Sequence, residues 1–156
     1  MPEITENNGS LVLEQALLSH LNSWPEKPCK INLDELAKRG LSMMLQPLSG
    51  VKKEKKYVNG SYIGAFSFAI YVRTFANDTK DKLNARIILQ GLDEWLSVKN
   101  DNGEYVNLPV LADGDIPLKI EMTATPAIAA KYDNGVEDYQ AIFKFTYRHK
   151  EVKKDG

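Results

Sequence analysis

Two histidines and one cysteine are all that this chain of 156 residues offers as soft or near-neutral titrating groups, and they are spread out: His20, Cys29 and His149. His20 falls in a helical pattern with no second His or Cys at i+3 or i+4, where a ligand pair on one helix face would sit. A surface or boundary position is therefore expected. Cys29 lies in the proline-punctuated run PEKPCK with no nucleophile motif around it, so it reads as an inert thiol, and a single cysteine excludes an internal disulfide. The carboxylates Asp101, Glu104, Asp113 and Asp115 share a stretch without any basic residue, but they lack the alternating ligand spacing of an EF-hand loop. They read as a solvated acidic connection that includes a short strand at Tyr105 to Val110. The chain has no phosphate-binding glycine loop, no GxSxG elbow, no HExxH and no CxxC. Carboxylates that converge in space remain open from sequence, but nothing singles a pair out. The expectation is a protein that is not an enzyme and holds no metal or cofactor.

What is left is charge and aromatic pattern. Lys52, Lys53, Lys55 and Lys56 flank Glu54 in one strand-like segment, Val51 to Val58, that turns at Asn59-Gly60. Asn-Gly between β-patterned runs signals a two-residue type I′ turn, because both residues tolerate positive φ. That loop sets Val58 opposite Ser61, Tyr57 opposite Tyr62, Lys55 opposite Gly64 and Lys53 opposite Phe66. Two readings of the lysines stay open: an edge strand guarded by charge against aggregation, or a projecting arm that meets an acidic partner. Trp95 invites stacking on a nucleobase or sugar, yet at helical spacing beside Leu92 and Leu96 it reads as core.

These residues are positioned by the run that follows the turn, GSYIGAFSFAIYVRTF at 60–75. Its even positions are Tyr62, Gly64, Phe66, Phe68, Ile70, Val72 and Thr74, and neither face carries charge before Arg73. A central strand covered on both faces is expected. At about 3.3 Å per residue the run would extend roughly 50 Å, so a bend near Gly64 or a projecting end is expected too.

Two helices frame this strand. Ser10 caps one that reaches Trp24, with Leu13, Leu17, Leu21 and Trp24 as its apolar stripe and Pro25 beyond it. Asp78 or Asn77 caps the other, whose stripe is Leu83, Ile87, Ile88, Gly91, Leu92, Trp95 and Leu96; Gly91 is read as a close approach to the sheet. Between them, Asp34 to Lys38 is expected to form one helical turn and residues 41–48 a short strand that Pro47 ends or places at an edge. Leu118, Ile120 and Met122 alternate with polar residues up to Pro126. A loop of a dozen residues then leads to the last strand, where Tyr139, Ala141, Phe143, Phe145 and Tyr147 face one way, with Ile142 the exception on the other side. The fold class is α+β: a small, mostly antiparallel sheet with a long central β-hairpin, packed by two main helices.

Length and composition fit a single domain over residues 1–156, with 1–9 and 150–156 expected as flexible tails. A net charge of -1 favours neither nucleic acid nor an anionic membrane. The first ten residues have no basic and apolar signal-peptide pattern, so synthesis in a reducing cytoplasm is expected, and no apolar run approaches the length of a membrane span.

The segments QPLSG at 46–50 and YVNGSYIGAFSFAIYVRT at 57–74, the helix with LDEWL at 92–96, and the last strand ending in Tyr147-Arg148 resemble a family of minor capsid proteins from tailed phages and prophages of Gram-positive bacteria. The likeness covers residues 10 to 150 and rests on turn, aromatics and length. It implies a tail terminator: a structural virion protein whose subunits form a hexameric ring on the head-proximal end of the tail tube, stop its growth and join it to a head-completion or stopper protein, with DNA only passing through the lumen. A neck or connector component, or a small adaptor or nucleic-acid-binding module, are the alternatives. The resemblance carries over no site residues; charge pattern, compatible with such a ring, leads us to expect a subunit or tube interface of Lys52, Lys53, Lys55, Lys56, Tyr57, Asn59, Gly60 and Tyr62, set against Asp101, Glu104, Asp113 and Asp115 of the next copy.

Overall fold

A computed structural model of the chain describes residues 4–38, 41–75, 79–112 and 115–151. Its elements are α1 (Ile4–Leu21), β1 (Ile31–Leu33), β2 (Ser42–Pro47), β3 (Lys52–Lys56), β4 (Tyr62–Phe75), α2 (Thr79–Leu96), β5 (Asp115–Lys131) and β6 (Val136–His149). They make an α+β fold in which one mixed sheet runs β1-β2-β4-β6-β5, with β3 pairing β4 on the side of β2. Only β1 and β2 are parallel; every other pair is antiparallel.

β4 is the centre, as its lack of charge requires. It pairs with β6 over its whole length, Tyr62 opposite His149 through Phe75 opposite Val136, without a register shift. Directly opposed residues share a face, so Phe66, Phe68, Ile70 and Val72 lie beside Phe145, Phe143, Ala141 and Tyr139, all buried. Phe68 stacks on Phe143 with centroids 5.6 Å apart. Met43 and Leu45 extend this face from β2, and Ile120 extends it from β5.

Both helices cover that face. Leu13, Leu17, Leu21 and Trp24 are buried as the spacing predicts, and Ala85, Leu89, Leu92 and Leu96 form the inner stripe of α2. Two assignments shift. Ile87 is 60% exposed, because a stripe through 85, 89, 92 and 96 turns it to solvent; the side chain of Leu83, and the capping positions Asn77 and Asp78, lie outside the described residues. Gly91 faces the Trp24 indole and not the sheet, and a Cβ there would lie 3.5 Å from Trp24 Cζ2, an ordinary contact.

Other expectations are corrected by backbone hydrogen bonding, which apolar periodicity does not report. α1 begins at Ile4, so Ser10 lies inside it and residues 4–9 are helical; periodicity marks where a helix meets the core, not where its hydrogen bonds start. Residues 34–38 form no helical turn. Instead the Asn22 side-chain amide bonds both Ile31 O and Ile31 N at 2.9 Å, imitating a neighbouring strand and tying β1 to the end of α1. No strand runs from Tyr105 to Val110; a single bridge joins Lys99 to Tyr105. The loop expected after Pro126 is strand: β5 continues to Lys131 and turns at Tyr132–Gly135. Pro126 is tolerated because β5 is an edge and its register slips between Ala124 and Ala127. A similar slip between Pro117 and Lys119 leaves Leu118 exposed.

Opposite the helices, the second sheet face is bare of any helix or strand among the described residues. Ala65 and Ala69 are nonetheless buried there, because each small side chain sits between longer neighbours, Lys52 and Thr146 in one case and Gln46 and Ile142 in the other. The absence of charge on this face of β4 thus reflects shielding within the sheet. At its far end Arg73 makes a two-pronged bond to Asp138 (Nε–Oδ1 2.7 Å, Nη2–Oδ2 2.9 Å) and reaches Ala37 O at 3.2 Å. Tyr132 donates to Asp138 at 3.1 Å, which pins the β5–β6 turn to the sheet.

His20 joins the helices to the long connection: its ring stacks on Trp95 at 4.9 Å and Nε2 lies 2.9 Å from Asn107 O. Since a carbonyl only accepts, Nε2 carries the hydrogen. Burial lowers the His20 pKa, with the Asn107 bond opposing it in part. The folded state thus prefers neutral His20, so this contribution is complete above the unfolded value near 6.5 and is lost as pH falls through the lowered folded value. The unfolding free energy measured by urea titration should decline from pH 7 toward pH 5, by at most about 1.4 kcal/mol per pH unit from this group. His20→Gln, whose amide can donate to the same carbonyl, should flatten that segment. Gly91→Ala should raise stability by about 1 kcal/mol in the same assay, since helix propensity improves and the added methyl fits against Trp24.

Candidate assembly interface

The lysine strand lies where the sequence puts it, but in a different register. The turn is a three-residue loop: Tyr57 N donates to Ser61 O at 2.8 Å and Gly60 N to Tyr57 O at 3.1 Å. Only Gly60 has positive φ (91°), while Asn59 spends its side chain on the amide of Ser61 at 3.0 Å. That is the signature of a turn closed by a left-handed glycine, not of a type I′ turn. Lys56 therefore faces Tyr62 and Lys55 faces Ile63, and after a bulge at Glu54 Lys53 faces Gly64 and Lys52 faces Ala65.

Because a slip of one residue exchanges faces, the bulge changes which lysines share a face: plain alternation would pair Lys52 with Lys56, and the bulge pairs Lys53 with Lys56 instead. Lys53 and Lys56 stand on the helix side of the sheet, and Lys52 and Lys55 on the bare side. All four are exposed and form no ion pair among the described residues. Glu54, released by the bulge, pairs with Lys144 of β6. Tyr57 is partly exposed, with Lys55 and Arg148 over its ring at 5.4 and 5.7 Å.

Tyr62 is half-buried at the start of β4, Lys53 Nζ 4.6 Å above its ring and His149 stacked on it at 4.7 Å. Beside it Tyr147 lies flat over Gly64. A Cβ at Gly64 would fall 2.6 Å from Tyr147 Cζ, so only glycine fits. Burial first, then the hydrogen bond with Tyr62, pushes the Tyr147 hydroxyl far above the ordinary phenol range, and it stays a neutral group at any physiological pH. These rings floor a cleft of about 670 Å³ between the sheet end and α1, walled by Val12, Ala16, Val51 and Leu111 and rimmed by Val110, which is 91% exposed.

The acidic partners separate. Asp101 and Glu104 are exposed on a compact turn in which Asn100 Oδ1 accepts from the amides of Asn102 (2.9 Å) and Glu104 (3.0 Å) and Gly103 takes φ 77°. Asp113 lies outside the described residues. Asp115 does not belong to a solvated loop: it opens β5, is half-buried in the wall of the cleft, and its Oδ1 accepts from His149 Nδ1, whose other nitrogen lies 3.4 Å from Glu151. It is committed within its own chain. Tyr147 and His149 are the members that sequence reasoning passed over; the alternation of β6 carried the signal for Tyr147, while His149 joins the group only through β4–β6 register.

Among the described residues no three His, Cys, Asp or Glu side chains are grouped to hold a metal ion. No protein-family model matches this sequence, and comparison with curated proteins likewise finds no match.

Gly64→Ala should displace Tyr147 and cost about 1–3 kcal/mol of stability. In a Tyr147→Ala background the same change should cost measurably less, and equal costs in the two backgrounds would mean that the ring is not the obstacle.

Proposed function

We propose that this chain is a structural subunit of a tailed-phage or prophage virion, a tail terminator that closes into a ring at the head-proximal end of the tail tube, halts tube growth and presents a surface to a head-completion protein. The observation that supports it most is the asymmetry of the sheet: the helices cover one face, while the other is bare and bordered by a fully exposed lysine strand. Half-buried Ile63, Ser67 and Tyr71 on that face offer a surface of small and mixed residues to a companion chain. The reading involves no catalysis and no cofactor, and DNA meets the protein only in transit through the ring.

A nucleic-acid-binding module is the less favoured reading. The strand carries two lysines on each face, whereas a backbone-tracking groove needs them on one. The near-zero net charge points the same way.

The test is negative-stain microscopy and native mass spectrometry of the protein alone and mixed with the tail-tube protein of the same phage or prophage. Rings seated at tube ends, with growth arrested, are the expected result. A protein that never binds tubes and leaves their length unchanged would end this reading.

A further inference from the structure

The segment between α2 and β5 projects a small hairpin that has no role in the packing described above. Val106 N bonds Val98 O at 3.2 Å and Lys99 bridges Tyr105, which brings residues 98 and 106 together behind the turn. Val98 and Val106 are 47% and 48% exposed, and the tip beyond them carries exposed Asp101 and Glu104. It is an acidic knuckle with an aliphatic pair at its base.

The cleft beside β3 has the opposite character. Its walls are aliphatic apart from Asp115, whose carboxylate is held by His149; Val12 on its α1 side is 48% exposed, and Lys53 stands at its edge with Lys56 on the same sheet face. At about 670 Å³ it has room for two aliphatic side chains and their backbone. Apolar walls meet an apolar pair, and free cations meet free carboxylates, on two patches of one chain. Neither set of charges is neutralised internally: among the described residues no ion pair involves Asp101, Glu104, Lys53 or Lys56.

We infer that the knuckle of one copy docks in the cleft of a second copy, Val98 and Val106 entering between α1 and the sheet end while Asp101 and Glu104 pair with Lys53 and Lys56. Knuckle and cleft are different patches, so the contact is heterologous and propagates around a ring, unless two copies exchange knuckles reciprocally. The inference rests on the ring reading for its biological setting, but the contact stands or falls separately. It also assigns the two sides of β3 different work: Lys53 and Lys56 belong to the self-contact, and Lys52 and Lys55 do not.

Disulfide trapping in a Cys29→Ser background tests it. Val106→Cys protein mixed with Val12→Cys protein should cross-link under mild oxidation far faster than Val106→Cys mixed with Ile87→Cys, a position exposed on α2. Lys53→Glu with Lys56→Glu should cut the yield about fivefold at low salt, and adding Asp101→Lys with Glu104→Lys to the partner should restore it. Lys52→Glu with Lys55→Glu, the same change in net charge on the other face, should leave it unaltered. Equal cross-linking to the Val12 and Ile87 variants, or equal loss from the two lysine pairs, would overturn the contact. A trapped pair that exchanges knuckles reciprocally and does not cap tubes would sustain the contact while removing the terminator reading. Tube capping without preferential cross-linking would do the reverse.

Discussion

Everything in this fold depends on β4 being paired along its full length with β6. The two strands bring four phenylalanines, three tyrosines and a run of aliphatic residues onto one face in unbroken register, and that face is what both helices bury. Burial of this kind contributes roughly 25 cal/mol per Å² of apolar surface removed from water, and a register error of one residue would turn the whole set to solvent. The ends of the ribbon are secured differently. At one end the Arg73–Asp138 pair, with Tyr132 and Ala37, ties three segments together; at the other Tyr147 lies over Gly64 and locks against Tyr62 and His149.

Against so regular a centre, the irregularities fall on the edges. β5 slips register in several places and carries Pro117 and Pro126, and β3 is bulged at Glu54. Bulges and prolines at sheet margins discourage indiscriminate strand addition. In β3 the bulge also places Glu54 beside Lys144 and sets Lys53 with Lys56 on one face and Lys52 with Lys55 on the other, so the two sides of one short strand can meet different neighbours. The charge-guarded edge and the interacting arm, two separate readings of the same lysines, are compatible in this geometry.

Much of the framework was legible. The Leu13–Leu17–Leu21–Trp24 stripe, the even face of β4 and the odd face of β6 read straight off the chain, because burial on one side imposes a period that composition displays. The misreadings share a cause. Residues 127–131 looked like loop because small and exposed residues carry no period, yet their backbone pairs with β6; residues 4–9 looked frayed for the same reason and are helical. The type I′ turn was inferred from Asn-Gly, but a third loop residue and a left-handed Gly60 supply the same chain reversal with a different register.

The amino-acid order by itself determined which strand must be central, which helix faces must be buried and where the exposed cationic and acidic segments lie, since these follow from local pattern and from the cost of burying charge. Only the tertiary structure decided that Asp115 is bound to His149, that Tyr147 roofs Gly64, that Lys53 shares a face with Lys56 and Lys52 with Lys55, and that a cleft opens beside them. Those outcomes depend on register and on a single bulged residue. The free-energy difference between neighbouring registers comes from contacts between residues distant in sequence, and one strand read alone does not contain it.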